Sequence, residues 1–244
     1  MRKLLFAAAF GAGVSLSACA TLPPNPDAPA NNDPYEATNR EIFALNLKMD
    51  GWTLRPTAEA YANNVPEGVR EAAHNVLVNL DLPVTFANDV LQAEPRRAGQ
   101  TVTRFVVNST LGMAGLFDVA TRLDIPDHSE DFGQTLTVWG ACKGPYLMLP
   151  LLGPSSPCDT LGRGVDFLLD PTIYIRMKQH VWWVAGHTYF KILDLRARNM
   201  ETLDDIERTS MDFYATTRSL YRQNRASEVR NGEPDVPPAD TPVP

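Results

Sequence analysis

Proline limits this chain more than any other residue, because each one fixes φ and removes a backbone donor. The sequence holds twenty prolines in 244 residues, and half of them sit near its ends. Pro23, Pro24, Pro26, Pro29 and Pro34 are mixed with Asn, Asp and Ala in one stretch, and five more follow Arg225. Such segments cannot bury a core, so residues 19–34 read as a tether and 225–244 as a disordered tail. The folded part is then 35–224, with apolar content (44% over the whole chain) suited to a single domain. No internal repeat is evident. The longest uncharged stretch, Gly144 to Cys158, is interrupted by Pro145, Pro150, Pro154 and Pro157 and is too short to span a bilayer.

Residues 1–18 read as a secretory signal, since Arg2 and Lys3 precede an apolar run from Leu4 to Leu16 that ends in small residues. Leu16-Ser17-Ala18-Cys19 resembles a bacterial lipobox, which would make Cys19 the site of lipid attachment. Each buried methylene contributes about 0.8 kcal/mol, so three acyl chains would hold the protein on a membrane permanently. Ala20, where inner-membrane lipoproteins commonly carry Asp, favours the outer membrane. The net charge of −7 argues against nucleic acid as a partner, because phosphate recognition needs a basic face.

The core reads as mainly α, with helices separated by proline-marked turns. Asp33-Pro34-Tyr35-Glu36 looks like a capping box, with Asp33 as N-cap and Pro34 at the first helical position. Down that helix Asn39, Phe43, Asn46 and Asp50 share a face. A second helix follows Pro66, and Pro83 is expected to begin a separate short one. After Pro95, Ala98, Val102, Phe105 and Val106 form an apolar side, opposite a polar line of Arg97, Thr101, Arg104 and Asn108. Gly133 to Pro157 is expected to be extended and loop-rich. In the last helices Ile192, Leu195, Ile206, Phe213 and Leu220 suggest a seam packed on the domain.

Tyr174, Trp182, Trp183, Tyr189 and Phe190 crowd one segment, a density that suits a water–lipid boundary or a buried hairpin. The expected lipid anchor favours the boundary. With Cys19 acylated, Cys142 and Cys158 remain, sixteen positions apart. In an oxidising compartment they are expected to pair, the alternative being two buried free thiols.

Motifs for catalysis are weak. Ser155 and Ser156 sit between prolines without an evident base, and no G-x-S-x-G is present. His180 and His187 lack a third zinc ligand, so no metal or other cofactor is expected. Glu130 and Asp131 are adjacent, and their side chains diverge in a helix or strand, which favours a helix-start role over an acid–base pair.

Taken in order, the motifs resemble the MlaA (VacJ) family of outer-membrane phospholipid-trafficking lipoproteins across nearly the whole chain. The resemblance rests on Asp33 through Arg40 with Phe43 and Asn46; Asn79-Leu80, Pro83, Asn88 and Leu91-Gln92; and Arg104-Phe105, Asn108-Ser109-Thr110, Gly112, Gly115 and Asp118. It continues through Glu130 to Leu136, Trp139-Gly140, Gly144-Pro145-Tyr146, Gly153-Pro154-Ser155, Asp159, Gly162 and Asp166, ending with Asp212, Tyr214, Arg218 and Tyr221. Two departures are local: Cys158 stands where the family commonly has Arg, and Ala141-Cys142-Lys143 replaces a glycine-rich stretch.

The resemblance implies a single ring-like helical domain in the periplasmic leaflet of the outer membrane, bound to a trimeric porin. Through its amphipathic channel misplaced phospholipids would pass passively to a soluble periplasmic carrier. Asn39, Asn46, Arg104 and Asn108 are expected to line that channel or meet headgroups, the alternative for Arg40 and Arg104 being structural pairs with Glu36, Asp50 or Asp118 between helices. They have the chemistry a headgroup needs if it is to leave water. A lipoprotein hydrolase acting on cell wall or lipid, and a structural envelope lipoprotein, are the alternatives.

Overall fold

The computed structural model describes residues 32–142, 144–174 and 180–233. The signal, Cys19, most of the tether and residues 234–244 lie outside the described residues. The architecture is mainly α. Helix α1 (Glu36–Met49) runs into a π-helical segment (Asp50–Leu54) and then α2 (Arg55–Asn64). These precede α3 (Glu67–Leu91), α4 (Pro95–Thr110), the short α5 (Val119–Arg122) and α6 (Phe132–Val138). A two-stranded antiparallel hairpin, β1 (Leu147–Leu149) and β2 (Gly153–Ser155), pairs Met148 with Pro154. Helices α7 (Pro157–Leu169), α8 (His180–Arg198), α9 (Met200–Thr209) and α10 (Phe213–Val229) complete the order.

Contacts between elements close a circuit. Helix α1 packs on β1, β2 on α7, α7 on α3, α3 on α8 and α8 on α2, which returns through the π-helical segment to α1. Helix α10 bridges α9, β2 and α6, and α4 lies along α3. The result is a ring-like arrangement of helices. Among the described residues the one cluster of buried apolar side chains is small: Tyr146, Met148 and Tyr214, flanked by Ile42, Phe43 and Tyr221.

Several local expectations are corrected. Helix α1 begins at Glu36 after Tyr35, with no side-chain cap. Asp33 is unavailable because it is buried and bonded to Asn39, Tyr214 and Arg218. Pro83 starts no helix but lies inside the 25-residue α3. An internal proline forgoes one backbone bond at a cost of about 3 kcal/mol, which packing on α4, α7 and α8 offsets. Within 133–157, α6 forms on Asp131, whose side chain accepts from the Gln134 amide. Two turns are too short to show a helical period. The late seam is broken at Asn199 and Ser210, and Leu195 and Leu220 are exposed. Helix α10 extends to Val229, so the folded part passes the expected boundary at 224.

Helices α6 and α7 meet backbone to backbone. A Cβ on Gly162 would stand 2.8 Å from the Gly133 Cα, with no flexible side chain to yield. Gly162→Ala should therefore cost about 1–3 kcal/mol through overpacking. At Gly164, two residues on, an added Cβ meets nothing within 4 Å. Gly164→Ala should gain up to about 1 kcal/mol from helix propensity. Paired denaturant titrations check both signs.

Candidate functional site

Helix α4 shows how this protein distributes polarity. Its polar line faces inward, with Thr101, Arg104 and Asn108 buried, while Val102, Phe105 and Val106 on the other side are exposed. A helix in water normally does the opposite. Asn88 and Asp89 on α3 are buried while Phe86, Val90 and Leu91 face out, and on α7 Asp159 is buried while Leu161, Phe167 and Leu168 face out. The turn after α4 adds exposed Leu111, Met113, Leu116 and Phe117. Among the described residues, seventeen buried side chains are polar or charged and ten are apolar, so polar contacts hold the interior together. So many exposed apolar side chains, set opposite buried polar ones on the same helices, suit a non-aqueous neighbour. No helix among the described residues is long and apolar enough to cross a membrane.

The inward groups form paired networks. Arg104 donates to Asp118 (2.9 Å) and to the Ile125 carbonyl (2.6 Å), and Asn108 donates to Asp118 (3.0 Å) and accepts from the Ala120 amide (2.9 Å). Burial opposes ionisation of Asp118, yet hydrogen bonds from Thr121 and Asn108 and the Arg104 charge hold its pKa down to about 2. Glu130 binds Arg97 (2.5 Å) and Gln92 (2.8 Å), and burial raises its pKa despite both partners. Asp131 pairs instead with Arg225 (2.6 Å), which also binds Asp159. The two adjacent carboxylates thus point to different arginines and assemble no acid–base pair.

On α1 the two asparagines grip the hairpin. Asn39 donates to the Tyr146 carbonyl (3.2 Å) and accepts from the Met148 amide (3.0 Å); two turns on, Asn46 donates to the Leu149 carbonyl (2.9 Å) and accepts from the Leu151 amide (2.8 Å). Asn39, Arg104 and Asn108, expected to line a channel or meet headgroups, thus have partners within the protein. They are buried and their polar groups bind the protein itself, because an apolar exterior leaves the interior to be held by hydrogen bonds. Asn46 is half-buried and lines a cavity beside α9 and α10.

Tyr214, Arg218 and Tyr221, singled out above only through the family resemblance, form with Arg225 one stripe on α10. Its spacing of four, three and four was visible, but the expected boundary cut across it. Arg218 binds Asp33 (2.7 Å), and Arg40 binds Asp212 (2.6 Å) while covering the Tyr214 ring at 4.4 Å. Cys142 and Cys158 are joined by a disulfide, with their Cα atoms 5.9 Å apart. The side chain of His180 lies outside the described residues, and His187 stacks on Trp183. The aromatic segment divides between the two environments: Phe190 packs edge-on against Tyr61, whereas Trp182 is 77% exposed and Tyr189 is also exposed. Between α3 and α8 an apolar cavity of about 450 Å³ is lined by Val76, Leu77, Leu80, Trp183 and Phe190.

Comparison with known proteins agrees across this length. The model of the MlaA lipoprotein family matches residues 31–228. The Escherichia coli intermembrane phospholipid transport system lipoprotein MlaA is 30% identical over 213 residues, 85% of this chain and 82% of its own. An uncharacterised Rickettsia bellii protein is 36% identical over 199 residues, 81% of this chain and 77% of its own. A solved structure that addresses the structural basis for maintenance of bacterial outer membrane lipid asymmetry has a TM-score of 0.72 and 32% identity, covering 81% of this chain and 98% of that one. With a family match over most of its length and the same fold in a relative of this identity, the chain belongs to the MlaA family of lipoproteins.

Proposed function

We propose that this protein is a passive, non-enzymatic conduit for phospholipid, anchored through Cys19 in the periplasmic leaflet of the outer membrane. It removes phospholipid from the outer leaflet and passes it to a soluble periplasmic carrier, seated against a trimeric porin. The inverted amphipathicity carries this reading: hydrocarbon against Val102, Phe105, Val106 and Leu168 restores the burial these side chains lack. The family's transport lipoproteins, named for an intermembrane phospholipid transport system, support the same assignment.

The energetics require enclosure. A diacyl lipid exposes roughly thirty methylenes, about 24 kcal/mol in water, so it must stay sheltered until a carrier takes it. A passive path performs no chemistry, and the lipid gradient sets its direction.

Deletion is the test. Phospholipid amines on the cell surface should become accessible to an impermeant amine-reactive dye, and the barrier to detergent should weaken. The protein should also co-purify from membranes with a porin and bound phospholipid. Unchanged surface labelling in the deletion strain would reject the transport role.

A further inference from the structure

The cavity that Asn46 lines, about 270 Å³, sits where α1, the π-helical segment, α9 and α10 converge. Its walls are largely apolar, with Phe43, Leu54, Leu203 and Phe213 among them. Four charged residues also line it: Asp50, Asp204, Glu207 and Arg196. Three carboxylates and one guanidinium line it; Arg196 pairs with Asp50, Arg55 pairs with Asp204 from outside the lining, and Glu207 leaves one negative charge in excess.

Each sign of charge also has an unpartnered buried atom. The Arg196 side chain is nine-tenths buried; its Nε and Nη2 bind Asp50 at 3.0 and 3.1 Å, which leaves Nη1 without a hydrogen-bond partner. Asp204 gives one oxygen to Arg55 at 2.9 Å, and its Oδ1 is buried and unpartnered. Buried polar atoms in a folded protein are nearly always bonded, and here two residues of opposite sign that line one cavity each hold an unpartnered atom, which suits a ligand of two signs.

We propose that this cavity is a headgroup subsite that selects zwitterionic aminophospholipids over anionic ones. The lipid phosphate meets Arg196, its ammonium meets Asp204 and Glu207, and the first carbons of its chains lie against Phe43 and Leu203. An anionic glycerol headgroup brings the phosphate with no cation, and its charge opposes that negative excess. The inference rests on the transport reading above and adds to it a preference among lipids.

Full-chain protein in mixed micelles of equal phosphatidylethanolamine and phosphatidylglycerol provides the test, with bound lipid extracted and counted by mass spectrometry. Wild type should hold phosphatidylethanolamine enriched about tenfold, the scale of a single charge-assisted hydrogen bond. Asp204→Asn and Glu207→Gln should each lower that ratio severalfold, and together bring it close to one. Glu207 is exposed, so its variant keeps the test decisive if Asp204→Asn lowers stability. An unchanged ratio in Glu207→Gln and the double variant overturns the subsite. Wild-type protein that binds lipid without preference overturns it and leaves transport standing, whereas wild-type protein that binds no phospholipid overturns both. Soluble glycerophosphoethanolamine that displaces lipid at equal concentration would reassign the site to free phosphodiesters.

Discussion

Asp33→Ala is expected to lower stability by about 3–5 kcal/mol, the range for a buried ion pair that loses one partner. Asp33 and Arg218 are both buried and 2.7 Å apart, and the same carboxylate takes hydrogen bonds from Asn39 and Tyr214. Removing it leaves a guanidinium inside the protein with only Glu36, at 3.2 Å and half exposed, beside it. For a domain of this size the melting midpoint should fall by roughly 10 °C. Asp212→Asn provides the control. Its pair with Arg40 is equally short, but both side chains are about 40% exposed, and the loss should stay within about 1 kcal/mol. Thermal melts of both variants in the same detergent decide between burial and bond length as the source of the effect. Similar losses in the two would refute the argument.

Reducing the Cys142–Cys158 disulfide should cost about 3 kcal/mol, the chain-entropy estimate for a loop of this length. The sixteen-residue separation encloses the whole β hairpin, together with Tyr146 and Met148 of the apolar cluster. Reduction frees that loop in the unfolded chain, while the folded loop stays fastened to α1 by Asn39 and Asn46. The native fold should therefore persist under dithiothreitol and unfold at lower denaturant, with the slope of the transition changed. A Cys142→Ala/Cys158→Ala variant should show the lower stability from the start and ignore the reductant. A wild-type midpoint that does not move under reductant would show that the bond contributes nothing.

What could be read from the residues was the helical class and the polarity of single helices, whereas the segmentation failed at Pro83, α6 and the end of α10. The spacing of Thr101, Arg104 and Asn108 against Val102, Phe105 and Val106 describes α4 correctly. Which side faces inward depends on the surrounding solvent, and spacing is the same in either case. That is why the asparagines on α1 and α4 were read as channel groups when all four polar side chains singled out bond to other parts of the protein. Asp33 failed as a cap for the same reason: a carboxylate next to a helix start is ambiguous until its long-range partners, 181 and 185 residues away, are known. Arg225 was left off the α10 stripe by a composition rule, although the prolines that mark the tail begin only nine residues after it. Glu130 and Asp131 were legible as separate carboxylates, though in the structure they part in the irregular run before α6 because each meets its own arginine.

The grip of Asn39 and Asn46 on the hairpin has a consequence for assembly. A two-stranded ribbon has two free margins, and an open margin is where stray strands add on. At and beside β1 the Tyr146 and Leu149 carbonyls and the Met148 and Leu151 amides are already occupied by carboxamides carried on a helix, which leaves that margin less open to recruitment. The protein can thus fold among partly formed β-structures without joining them, and replacing both asparagines with leucine would reopen the margin.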